Sequence, residues 1–118
     1  MKAYIAGPMR NYDRYNFPAF DAAKDWMIEQ GWDPVSPADL DRAVGITGYT
    51  TDLPDDFIFG ALRRDFKAIC ECDAIVFLPG WEASSGARAE RFVGEQIGLS
   101  FFHIDLETGL ITEEVPSV

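Results

Sequence analysis

The hydrophobic pattern changes period several times along the chain. Residues 3–7, AYIAG, form a short apolar run that stops at Gly7-Pro8, the pattern of a buried first strand ending in a turn. Over residues 16–31, Phe20, Ala23, Trp26 and Met27 recur near helical spacing, with Asn16 as a candidate cap, Pro18 in the first turn and Gly31 past the end. Residues 32–40, WDPVSPADL, read as a short second strand interrupted by prolines and therefore an edge. Residues 41–56 are rich in Gly, Thr, Asp and Pro without a period, and read as a loop that has the character of a lid. A helix is predicted over 57–72, with Phe59, Leu62, Phe66 and Ile69 on one stripe and Arg63, Arg64 and Lys67 elsewhere. Residues 73–79, DAIVFLP, are almost wholly apolar, as a central parallel strand covered on both faces should be. A further helix over 86–98 has Ala89, Phe92, Val93 and Ile97 as its apolar side, followed by strands at 100–106 and 109–115.

This alternation predicts an α/β fold: a single-domain, doubly wound, flavodoxin- or Rossmann-like structure with a mainly parallel sheet of four to five strands and helices on both faces. With 118 residues and no repeat or linker, one domain over 1–118 is expected. Hydrophobic residues make up 47 %, enough for a core, and no apolar run approaches the roughly 20 residues of a membrane span. The N-terminus reads as a strand rather than a signal peptide, so a cytoplasmic location is expected.

Charge narrows the partners. Twenty acidic side chains against ten basic give a formal charge of −10, which opposes binding to nucleic-acid backbones but leaves room for a local small-anion site. Cys70 and Cys72 form a C-x-C without a second pair, and His103 is the only histidine. They read as helix-end core thiols in a reducing compartment, and no metal or cofactor is expected.

In such sheets ligands bind beyond the carboxyl ends of the strands, near the switch in strand order. Two loops follow strand ends directly: Gly7-Pro8-Met9-Arg10, and Pro79 to Ser85. The second leads into a helix through Ser84, Ser85, Gly86 and Ala87. Small residues there leave the first helical N–H groups open to an anion, and the hydroxyls add donors. Ser85 also reads as a plain helix cap, which is compatible with anion binding. Glu90 one turn later and Asp65 in RRDF read either as ordinary solvated helix charges or as functional carboxyls, and Arg10 as a loop arginine or an anion ligand.

The ordered set YIAGPM, an RRD helix ending before CD, an apolar strand and SSGARAE resembles the nucleoside 2-deoxyribosyltransferase superfamily, which includes transferases and nucleoside 5'-monophosphate N-glycosidases. It also looks like a phage-associated branch of that group with YIAGPM openings and a PGW after the third strand. The resemblance covers most of residues 3 to 102.

It implies that Glu90, with Gly86 four residues before and Gly98 eight after, is the nucleophile, and that Asp65, eight residues before Asp73, is its catalytic partner. It implies a base or sugar contact for Tyr4 and a phosphate contact for Arg10. Ser84, six residues before Glu90, stands where transferases of the superfamily carry an aspartate and monophosphate hydrolases a phosphate-binding serine. A hydroxyl donates to phosphate where a carboxylate would repel it, so a nucleotide substrate is expected. Phe92, where relatives often have glycine, and Pro8, where some have serine, depart from the pattern.

The implied activity is hydrolysis of the base–sugar bond of a (deoxy)nucleoside 5'-monophosphate, with phosphate on Gly7 to Arg10 and Ser84 to Gly86. Asp65 either orients Glu90 or protonates the base. Trp81 and Tyr4 are candidates to stack on or edge the base, with a buried or interface role equally open to Trp81. Base exchange by a transferase and a catalytically silent nucleotide-binding module are the rival readings. A homodimer or higher homo-oligomer is implied, with the C-terminal EEVPSV as a candidate to cross the interface.

Overall fold

The computed structural model describes residues 1–53 and 56–115, apart from the side chain of Ile58. Five strands, β1 (Lys2–Ala6), β2 (Asp33–Val35), β3 (Ala74–Phe77), β4 (Ser100–Ile104) and β5 (Ile111–Glu113), form one sheet in the order β2-β1-β3-β4-β5. All neighbours are parallel except β4 and β5. Four helices accompany them: α1 (Phe17–Glu29), α2 (Pro37–Ala43), α3 (Phe57–Cys70) and α4 (Ser85–Ile97). The chain leaves β1 outward to β2 and then returns past it to β3, so β1 and β3 flank the switch in strand order.

Alternation along β1 assigns its two faces. Ala3 and Ile5 pack with Phe20, Ala23 and Met27 of α1, while Tyr4 and Ala6 pack with Ile69 of α3 and Ala87 of α4. Phe20 and Met27 are fully buried, each contributing about 2–3 kcal/mol relative to exposure. The period of two thus sends the Tyr4 side chain into the α3–α4 layer.

Several local expectations need correction. The segment 32–40 is a strand only over Asp33–Val35 and then becomes helix α2, which extends into the predicted 41–56 loop. Ser36 caps α2 through a hydrogen bond from Ala38 N at 3.2 Å, and Pro37 occupies its first position, so the proline starts a helix rather than interrupting a strand. Residues 54 and 55 of that loop, and the final three residues of EEVPSV, lie outside the described residues.

Asn16 precedes α1 but does not cap it. It ends a left-handed turn (φ 51°, 52° and 59° at Arg14, Tyr15 and Asn16), and its side chain instead donates to Pro8 O at 3.0 Å. Cys72 is buried, but Cys70 is exposed rather than a core thiol.

The predicted α3 stripe is borne out at Ile69 and Phe66, with Phe59 exposed, whereas the α4 stripe is rotated. Phe92 and Ile97 are exposed, and α4 buries Ala87, Glu90 and Gly94 instead. A Cβ on Gly94 would come within 2.8 Å of the Ile75 side chain and 2.9 Å of Phe101. The small residues let α4 lie close against the sheet, and that approach carries Glu90 inward.

Candidate active site

A cavity of about 430 Å³ opens at the carboxyl ends of β1 and β3. Its lining comes from four directions. The turn after β1 contributes Gly7, Pro8, Met9 and Arg10, and the start of α4 contributes Ser84, Ser85, Gly86 and Glu90. Helix α3 adds Phe57, Leu62 and Asp65, and α2 adds Pro37 and Asp41.

At the α4 wall, Ser84 rather than Ser85 is the cap: its Oγ accepts from Ala87 N at 3.2 Å. That leaves the Ser84 hydroxyl proton free to donate. The amides of Ser85 and Gly86, in the first turn, have no acceptor among the described residues. A Cβ at Gly86 would meet nothing nearer than Ser84 Oγ at 3.9 Å, so packing does not require glycine there. Its absence of side chain instead keeps the mouth of the helix open. Arg10 is exposed on the rim and pairs with no carboxylate among the described residues. Arg88 turns outward and donates to Glu82 O at 2.9 Å.

The floor is a cluster of buried ionisable groups. Tyr4, fully buried, donates its O–H to Glu90 Oε2 at 2.5 Å, and Glu90 is only 5 % exposed. Asp65 on α3 lies alongside, and its Oδ1 has no hydrogen-bond partner among the described residues. Burial raises the Glu90 carboxyl well above the usual carboxylate range, and the charge of Asp65 adds to this. Asp65 is pushed up to about 7, first by burial and then by the charge of Asp41. Burial, then the charge of Glu90, raises the Tyr4 phenol well above its usual value. Both carboxyls thus favour the protonated form more than free carboxyls do, and ionisation of Asp65 disfavours that of Glu90.

Two of the residues proposed to contact substrate are placed differently from the expectation. Tyr4 lies beneath the cavity against Glu90 and is not part of the lining. Trp81 stands away from it, packed on Phe77 at a ring separation of 4.5 Å with the Arg91 guanidinium 5.1 Å from its centroid. Phe92 is exposed and outside the lining, while Pro8 is in it.

Asp41 was missed. It is 4 % exposed, lines the cavity from α2, and burial pushes it up to about 6 against the opposing effect of Arg64. The signal was present in Ser36-Pro37-Ala38-Asp39, a cap, a first-position proline and an acid three residues after the cap. Read as a helix start, it places Asp41 in an ordered helix instead of a loop.

A family model described as "Domain of unknown function (DUF4406)" matches residues 1–103, and the chain belongs to that family. No curated protein matches the chain.

Proposed function

We propose that the cavity is the active site of an N-glycosidase that hydrolyses the base–sugar bond of a nucleoside 5'-monophosphate, as in the nucleoside 2-deoxyribosyltransferase superfamily. One observation carries this reading: the buried Tyr4–Glu90 hydrogen bond with Asp65 alongside, one helical turn inside an α4 N-terminus with open amides.

Cleavage of a glycosidic bond builds positive charge at C1' and negative charge on the departing base. In the proposed first step, the Glu90 carboxylate forms a bond to C1' as the C1'–N bond breaks, and protonated Asp65 gives its proton to the base. Water then attacks C1', releasing Glu90 as a carboxylate and returning a proton to Asp65. Tyr4 holds Glu90 in position through its O–H, and supports the ionised form while Asp65 keeps its proton. The phosphate is held by Ser84, the amides of Ser85 and Gly86, and Arg10. Protons retained on the buried carboxyls also reduce repulsion between an acidic cavity and an anionic substrate. Self-association into a dimer or larger homo-oligomer is part of the same proposal.

A second reading has its own observation. If burial keeps Glu90 itself protonated, it is no nucleophile, and the cavity only binds nucleotides. The test is release of free base from ribo- and deoxyribonucleoside 5'-monophosphates and from the matching nucleosides, resolved by chromatography. Base should be freed from a monophosphate by the wild type, and Glu90→Gln should bind that nucleotide yet lose at least about 100-fold in turnover. Tight binding without release in both proteins would establish the silent module instead. Transfer of the sugar to an added second base would mark base exchange.

A further inference from the structure

Asp41 is a buried residue whose carboxylate makes no hydrogen bond among the described residues. Its ion pair with Arg64, at 3.7 Å, is beyond hydrogen-bond reach, and Asp65 is a like-charged neighbour. Buried polar groups are almost always hydrogen-bonded, and a carboxylate kept for stability would be. Arg64 is also unsatisfied, since its Nε and Nη2 make no hydrogen bond among the described residues. Yet Asp41 is part of the cavity lining, so the missing partners can come from a bound ligand.

Its place in the fold says which part of the ligand. Helix α2 follows β2, the strand on the opposite side of β1 from β3, and packs against α1, α3 and β1, whereas α4 packs against α3, β1 and β3. A nucleotide whose phosphate rests on the α4 N-terminus and whose C1' meets Glu90 extends its base away from α4. Asp41 waits on that far wall beside the apolar surfaces of Pro37, Phe57 and Leu62, which suit the faces of a flat ring.

We infer that Asp41 is the base-reading residue of this cavity, accepting hydrogen bonds from the amino edge of a nucleobase. The inference rests on the nucleotide reading above and adds a substrate preference to it. An ionised carboxylate only accepts, so it pairs with the exocyclic amino groups of adenine, cytosine or guanine. Uracil and thymine present a carbonyl oxygen where cytosine presents its amino group and keep only the N3–H as a donor, so a carboxylate facing that position is left unpaired and repelled.

Binding, rather than turnover, tests this independently of the chemistry. Glu90→Gln and Glu90→Gln/Asp41→Asn proteins are titrated calorimetrically with AMP, CMP, GMP, UMP and dTMP. With Asp41 intact, the tightest amino-bearing nucleotide should bind at least about 10-fold more tightly than UMP and dTMP, since a buried carboxylate left without a donor is penalised. Asparagine, which can donate as well as accept, should shrink that gap while leaving the protein folded. CMP and UMP bound equally by the Asp41 protein would overturn the inference without any reference to the variant. A uniform loss across all five nucleotides in the Asn variant would overturn it too, assigning Asp41 an electrostatic effect on Asp65. No binding by any nucleotide would remove the nucleotide reading itself, and base assignment with it.

Discussion

The two walls of the cavity are built in different ways. The mouth of α4 is made of backbone, above Glu90: a serine cap, two open amides and a glycine where a Cβ would meet nothing nearer than Ser84 Oγ at 3.9 Å. The α2 and α3 walls are made of buried carboxyls, Asp41 and Asp65, whose charge the fold tolerates at a cost. A backbone wall can hold an anion at any pH at which the helix exists. A carboxyl wall changes its state with pH.

The widest gap between the walls should appear in stability against pH. Asp65 has a folded pKa of about 7 and Asp41 of about 6, both above their usual value of 3.8. A carboxyl whose pKa is raised by folding binds its proton more tightly in the native state. Native stability is therefore greatest below the unfolded pKa and falls as pH rises through the folded one. Each such group removes about 1.4 kcal/mol per pH unit across its window. Thermal melts should give a lower midpoint at pH 8 than at pH 5. Asp65→Asn should flatten the fall up to about pH 7, and Asp41→Asn only up to about pH 6. A midpoint that rises between pH 5 and 8 would contradict the buried, unpaired state of these carboxyls. Glu114 works in the opposite sense: Arg91 hydrogen-bonds it and lowers it to about 2, so its contribution is full above its usual 4.5 and is lost as pH falls from there to about 2.

A smaller effect, confined to the α4 wall, should come from Gly86→Val. A Cβ there meets nothing nearer than Ser84 Oγ at 3.9 Å, and valine is no worse than glycine inside a helix, so the melting midpoint should hold. The side chain would stand over the open amides. Monophosphate binding should weaken about 10- to 100-fold, an amount typical of losing charge-assisted hydrogen bonds. The loss should be alike for every base, unlike that of Asp41→Asn. Unchanged affinity would move the phosphate away from the α4 N-terminus.

The same contrast explains what the sequence could reveal. The α4 wall was legible because its physics is local: small residues, a serine and a helix start follow one another in the chain. The sheet was legible because AIVF in β3 is apolar on both faces, as a central strand must be. Helix α2 was hidden because Pro34 and Pro37 were read together as breaks in a strand, although Pro37 follows a serine cap. The buried face of α4 was misjudged because Phe92 and Ile97 are the most apolar residues available, whereas Ala87 and Gly94 decide how closely the helix approaches the sheet. That approach, a tertiary property, is what buries Glu90. Tyr4 could be named from the chain, but its bond to Glu90 depends on register and on helix placement together.

The smallest effect separates the two jobs given to Ser84, capping and anion binding. Its Oγ accepts from Ala87 N, so Ser84→Ala leaves that amide bare and should cost about 1 kcal/mol of stability. Ser84→Gly also removes the hydroxyl, but glycine is tolerated at this position and should cost only about a few tenths of a kcal/mol. The two variants therefore differ in melting midpoint while sharing the loss of the donor. If the hydroxyl proton goes to phosphate, both should bind a monophosphate less tightly by a similar factor, with nucleoside binding unaffected. An affinity loss that instead tracked the melting midpoint, large for alanine and small for glycine, would make Ser84 a cap that acts on the ligand only by ordering α4.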